Sequence, residues 1–97
     1  MTEMFTHIVL YKLKDPTEEN KKALQEKFLS MIGKVEPIRS LETGIDCLRL
    51  DRSFDVSLHV KFDSKEDFFV YKDHPFHKGV AEYVHSIAER SVSVDFE

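Results

Sequence analysis

The chain has 97 residues, 41% of them hydrophobic and 33% charged, with a formal net charge of −4, which is the make-up of a globular domain and excludes a disordered or membrane-spanning chain. Lysines and acids are interspersed without a basic stripe, so no electrostatic footprint for nucleic acid is present. A chain of this size buries only about 60–65% of its unfolded surface, so a single domain over residues 1–97 with a modest core is expected, one that a partner subunit would help to stabilise.

In chain order, Met1-Thr2-Glu3-Met4 has neither the basic start nor the long apolar core of a secretory signal, and a cytoplasmic location is the expectation. From Phe5 to Leu13 the residues alternate as a strand, with His7, Val9, Tyr11 and Leu13 on one face and Thr6, Ile8, Leu10 and Lys12 on the other. Large apolar groups on both faces predict a central strand covered on both sides. Asp15-Pro16-Thr17-Glu18 reads as a helix start, with Asp15 as the N-cap, Pro16 at the first helical position and Glu18 three residues after the cap. This helix buries Leu24, Phe28, Met31, Ile32 and Val35, and Gly33 stops it. Beyond Pro37 a second strand runs from about Ser40 to Leu50, with Leu41, Thr43, Ile45 and Cys47 on one face and a bulge at Gly44. Cys47 is the single cysteine; it has no disulfide partner and reads as a small buried hydrophobe.

After the turn Asp51-Arg52-Ser53, a third strand alternates Phe54, Val56, Leu58, Val60 and Phe62 against a polar face of Asp55, Ser57, His59 and Lys61. Ser64-Lys65-Glu66-Asp67 is a capping box for a short helix that carries Phe68, Phe69 and Tyr71 and stops at Pro75. The next helix begins there, its apolar arc made by Phe76, Val80, Ala81, Tyr83, Val84, Ile87 and Ala88, with His85 on the polar side. Val92, Val94 and Phe96 alternate with Ser91, Ser93 and Asp95 in a closing strand. The order strand, helix, strand, strand, helix, strand predicts an α+β fold of the ferredoxin-like split β-α-β type (βαββαβ), a four-stranded antiparallel sheet with its helices on one face. The other face is left bare and carries Ile8 and Leu10. Burying them argues for a second sheet stacked on the first and hence a homodimer, with a semi-polar interior because Ser57, His59 and Lys61 share that face.

Chemistry concentrates in Tyr71-Lys72-Asp73-His74-Pro75-Phe76-His77. His77 falls inside an otherwise apolar arc, where an imidazole titrates near neutrality and can remove a proton next to a ketone. The same pattern also fits a buried histidine held by Tyr71 and a backbone carbonyl, pinning two helices at a kink. A pocket bounded by His7, Phe28, Leu58, Tyr71 and His77 is expected. Phe28, Leu58, Val60 and Phe68 are core residues first, and their bulk makes them the candidates to line a narrow cavity for an apolar acyl or aryl group. His74 precedes the proline, where a capping or solvent-facing role is expected rather than catalysis. His74 and His77 are the only suggestive metal pair and no carboxylate joins them, so neither a metal nor an organic cofactor is expected.

Taken together, His7-Ile8-Val9-Leu10-Tyr11-Lys12-Leu13, Ile38-Arg39-Ser40-Leu41-Glu42-Thr43-Gly44, Asp51-Arg52-Ser53-Phe54-Asp55, Phe62-Asp63-Ser64, His74-Pro75-Phe76-His77 and Val94-Asp95-Phe96 resemble the stress-responsive A/B barrel (Dabb) family nearly end to end. The resemblance implies a small dimeric α+β barrel. It implies two functions, since most members have no assigned reaction. One is a domain that binds a small apolar ligand or acts in stress response. The other is a cofactor-free acid/base enzyme, cyclase- or isomerase-like, acting on an enolisable carbonyl compound. In a plant member that cyclises a linear polyketide, functional positions fall on His7, Tyr71 and His77, so the resemblance implies His77 as the acid/base residue with Tyr71 and His7 orienting it or the substrate. A tyrosine on that enzyme's first helix falls on Phe28, which removes a hydroxyl from the pocket.

Overall fold

Among the described residues seven elements follow one another: β1 (Phe5–Leu13), α1 (Glu18–Leu29), β2 (Ser40–Ile45), β3 (Val56–Phe62), α2 (Lys65–Asp73), α3 (Pro75–Ile87) and β4 (Ala88–Phe96). The computed structural model describes residues 4–97; Met1, Thr2 and Glu3, read above for a targeting signal, lie outside the described residues. The strands form one antiparallel sheet in the order β2-β3-β1-β4, so the first strand is central and pairs with the third and the last. This is the ferredoxin-like arrangement expected from the element order.

Strand alternation sends Val9, Tyr11 and Leu13 of β1 and Val56, Leu58, Val60 and Phe62 of β3 to the helix side, where they pack with Leu24, Phe28, Met31, Val35, Phe68, Tyr71 and Val80. The helices start and stop where local chemistry sets their ends. Ser64 caps α2 by accepting the Asp67 N–H at 3.2 Å. His74 ends α2 and starts α3, its extended backbone (φ −64°, ψ 133°) forced by Pro75, and its Nδ1 accepts the Phe76 N–H at 3.0 Å.

Several details differ from the sequence reading. The α1 cap is Thr17, whose hydroxyl accepts the Asn20 N–H at 3.0 Å; Asp15 instead offers its carbonyl to the Asn20 side chain, and Pro16 stands before the helix. Ile32 is exposed, because α1 ends at Leu29 and the chain turns through Gly33 at φ +82°, which breaks the helical phase. β2 ends at Ile45, opposite Val56, and residues 46–55 form a loop. Cys47 lies in that loop and is exposed rather than buried. No bulge occurs at Gly44, where the β2–β3 register is unbroken. The Ser57 hydroxyl instead accepts the Gly44 N–H at 3.1 Å, close enough that a Cβ there would sit 3.3 Å from it.

Asp55 is 4% exposed rather than on a polar face. Its carboxylate accepts the Leu13 N–H at 2.8 Å and a hydrogen bond from Arg49 at 3.2 Å, fastening the 46–55 loop to the end of β1.

On the side away from the helices, register sets Thr6, Ile8 and Leu10 beside Phe96, Val94 and Val92 of β4, and beside Lys61, His59 and Ser57 of β3. Leu10, Val92, Val94 and Phe96 are all exposed. Half of this face is therefore a bare apolar band and half is polar. Among the described residues no helix is long and apolar enough to cross a membrane.

A histidine and tyrosine cleft between helices and sheet

Where α2 and α3 meet at Pro75, the kink swings His77 of α3 back over the last turn of α2. Its Nδ1 lies 3.1 Å from the Lys72 carbonyl. A carbonyl only accepts, so Nδ1 carries the hydrogen and Nε2 keeps its lone pair. The Tyr71 ring packs on the His77 ring at 4.3 Å between centroids. Tyr71 contributes its ring here, not the hydrogen bond expected of a structural pin. On its other side Tyr71 meets His7 of β1 at 6.2 Å. His7 in turn donates from Nδ1 to the carboxylate of Asp95, its register partner on β4.

These groups border a cleft of about 260 Å³. Its floor is Val9, Tyr11 and Leu58 of the sheet; Phe28 and Met31 close one side and Val80, Ala81 and Val84 of α3 the other, with Ser91, Ser93 and His85 along the β4 edge. The five residues expected to bound a pocket, His7, Phe28, Leu58, Tyr71 and His77, all line it. Val60 and Phe68 do not: Val60 is fully buried in the core, and Phe68 packs behind His7 at 4.9 Å. Phe28 lies 5.1 Å from the ring of Tyr11, so a phenol from β1 adjoins the position where the hydroxyl is missing from α1.

The electrostatics suit proton transfer. Burial lowers the pKa of His77 below its ordinary 6.5, opposed by the hydrogen bond to Lys72, with the neighbouring His7 a further small lowering. The imidazole is therefore neutral at pH 7. Burial drives the phenols of Tyr11 and Tyr71 well above their ordinary range, so both remain hydrogen-bond donors at any physiological pH. Among the described residues no group of three His, Cys, Asp or Glu side chains converges to hold a metal ion.

Sequence reasoning missed Asp95 and His85. The alternation of β4 set Asp95 on one face with Ser91 and Ser93, and the ferredoxin-like strand order puts that face beside His7. His85 was assigned to the polar side of α3, but it lies one turn beyond Ala81, at the rim of the cleft.

The family model of the stress responsive A/B barrel domain, Dabb, matches residues 5–97. The chain belongs to the Dabb family. Among solved structures, a dimeric protein of unknown function and ferredoxin-like fold from Bacteroides fragilis is 27% identical, with 100% of this chain and 99% of that one covered at a TM-score of 0.83. A dimeric ferredoxin-like protein of unknown function from Thermobifida fusca is 19% identical over 96% of this chain and 89% of its own, at a TM-score of 0.84. A hydroxynitrile lyase from Passiflora edulis is 17% identical over 99% of this chain and 94% of its own, at 0.80. At such identities the last two likenesses speak for the fold alone. No curated protein matches the sequence.

Proposed function

We propose that this Dabb protein is a homodimer whose cleft binds a small, largely apolar carbonyl compound, and that His77 moves a proton on it. The observation that carries this reading is the fixed tautomer of a neutral imidazole: Nδ1–H is held by the Lys72 carbonyl, which leaves Nε2 as a base in a site lined mainly by apolar groups. In the step proposed, the Nε2 lone pair takes a proton from the carbon next to the ketone. The C–H electrons form the enolate, whose oxygen is stabilised by the Tyr71 O–H, and the imidazolium then returns the proton to carbon or oxygen. The step as written uses no metal or organic cofactor. His7, held by Asp95, orients the substrate from the opposite side of Tyr71.

The experiment is exchange of the α-hydrogens of acetophenone in D₂O, followed by proton NMR. Incorporation above the buffer rate is expected; a protein that neither binds nor exchanges any tested enolisable ketone has no such activity.

Dimerisation is supported by the exposed band of Leu10, Val92, Val94 and Phe96 with half-buried Ile8 among them, and by the dimeric description of the 27% identical Bacteroides protein. Two such faces stacked about a twofold axis would close a barrel. Ile8→Asp places an unpaired carboxylate in that interior and is expected to convert the dimer to a monomer in sedimentation at micromolar concentration. A dimer of undiminished stability would put the face in solvent. A cytoplasmic location, a role in stress response and a single domain over the chain belong to the same proposal, and no nucleic-acid partner is part of it.

A further inference from the structure

We infer that the cleft selects uncharged ligands over carboxylates, and that Ser91 and Ser93 on the edge strand hold the selecting position. The inference rests on the cleft being the binding site, and it adds the charge class of what enters.

Among the described residues, those that line the cleft include histidines, tyrosines and serines but no lysine or arginine. A carboxylate taken from water into such a site loses its hydration and meets no full positive charge to replace it. Besides His85 at the rim, two local features could have supplied that charge, and each already has a partner within the protein. His7 faces the carboxylate of Asp95, so a second carboxylate there meets a negative neighbour. The α3 N-terminus, whose free N–H groups could attract an anion, has the Phe76 N–H taken by His74 Nδ1 at 3.0 Å. His77 is neutral at pH 7, for the reasons of burial given above.

Neutral oxygens are well served by contrast. Register sets Ser91 beside Tyr11 and Ser93 beside Val9. Alternate residues on a strand stand about 6.6–6.8 Å apart, so the two hydroxyls form a polar rail opposite the apolar side chains of α3. Hydroxyls donate and accept without carrying charge. A ligand with an apolar body and a carbonyl or hydroxyl oxygen can satisfy rail and floor together. A cation at either serine would change the charge class without touching Tyr71 or His77.

The test is a matched pair of probes of similar size, acetophenone and benzoate, titrated at pH 7.5 against the full chain while the NMR signals of Tyr71 and His77 are followed. Acetophenone is expected to bind about tenfold or more tightly than benzoate. Ser93→Lys, on an exposed strand position that accommodates a long side chain, is expected to raise benzoate affinity and narrow the ratio, and Ser91→Lys serves if that variant does not fold. Benzoate binding the wild type as tightly as acetophenone overturns the inference and leaves the cleft reading standing. Lysine at neither position improving benzoate binding overturns the role of the serine rail. Binding of neither probe overturns the cleft reading and this inference with it.

Discussion

Replacing His77 with alanine is expected to slow α-hydrogen exchange on acetophenone by roughly 10²–10⁴-fold, the usual worth of a positioned acid/base group, with little change in the half-saturating concentration. The split between rate and binding follows from geometry. Nε2 touches the substrate only where the proton moves, whereas the apolar walls from Phe28, Met31, Leu58 and Val84 hold the substrate in the ground state. His74→Ala is the matched control. It removes the α3 cap and costs about 0.5–2 kcal/mol of stability, yet leaves Nε2 of His77 in place. The pH dependence follows in sign as well. Because burial holds the folded pKa of His77 below 6.5, the neutral base persists to lower pH than in a free imidazole, and the rate should fall only on acidification beyond that point. The unfolded chain takes up this proton first, so the contribution to stability is present above pH 6.5 and is lost as the pH falls through the lower folded pKa. His77→Ala should remove that acid sensitivity from the unfolding curve. If the variant exchanges deuterium as fast as the wild type and is merely less stable, His77 is a brace between helices and not a base.

Asp55→Ala is expected to cost about 2–4 kcal/mol of stability. The carboxylate is 4% exposed and satisfies the N–H of Leu13, itself 3% exposed. Alanine leaves that donor buried without a partner and frees Arg49. Since Arg49 is half exposed, its guanidinium finds water, and the ion pair itself is a minor part of the loss. Asp55→Asn separates the two contributions, because the amide oxygen still accepts from Leu13 while the charge is gone. It should cost less than half as much in urea unfolding. Equal losses for the two variants would make the charge, not the acceptor, the source of stability.

How much of this was legible in the sequence depended on the range of the interaction involved. Period-two alternation placed β1, β3 from Val56 on and β4 from Ser91 on, while Phe54 falls in the loop before β3 and Ala88 in β4 rather than the helix. The Ser64 cap was readable, and capping was one of two roles expected of His74, because a cap acts over two or three residues. Asp15 read as the cap because Pro16 after it suits the first helical position; Thr17 is as good a cap, and only backbone geometry decides between the two. The end of β2 depends on where β3 stops pairing, and the burial of Asp55 on a hydrogen bond to Leu13, 42 positions away. Periodicity carries no information at that range. His7 and His77 stood out as polar groups on inward faces, and Tyr71 through its place in the stretch leading to His74-Pro75-Phe76-His77 and through the resemblance. Their proximity became expected only through the strand order and the resemblance. Val60 and Phe68 were misplaced as cleft residues because an inward face includes everything below the cleft floor as well as the floor.

The pairing of the two terminal strands also bears on the order in which the molecule is made. His7 and Asp95 are 88 positions apart, and Thr6 lies opposite Phe96, so β1 emerges from the ribosome long before its β4 neighbour exists. Closing so long a loop is entropically costly and belongs late in folding. A nascent chain ending before Ser91 can gather α1, β2, β3, α2 and much of α3 on β1, but it lacks both serines and the carboxylate that holds His7. The cleft is then among the last parts to form, and a ligand that binds there stabilises only chains that have completed the sheet.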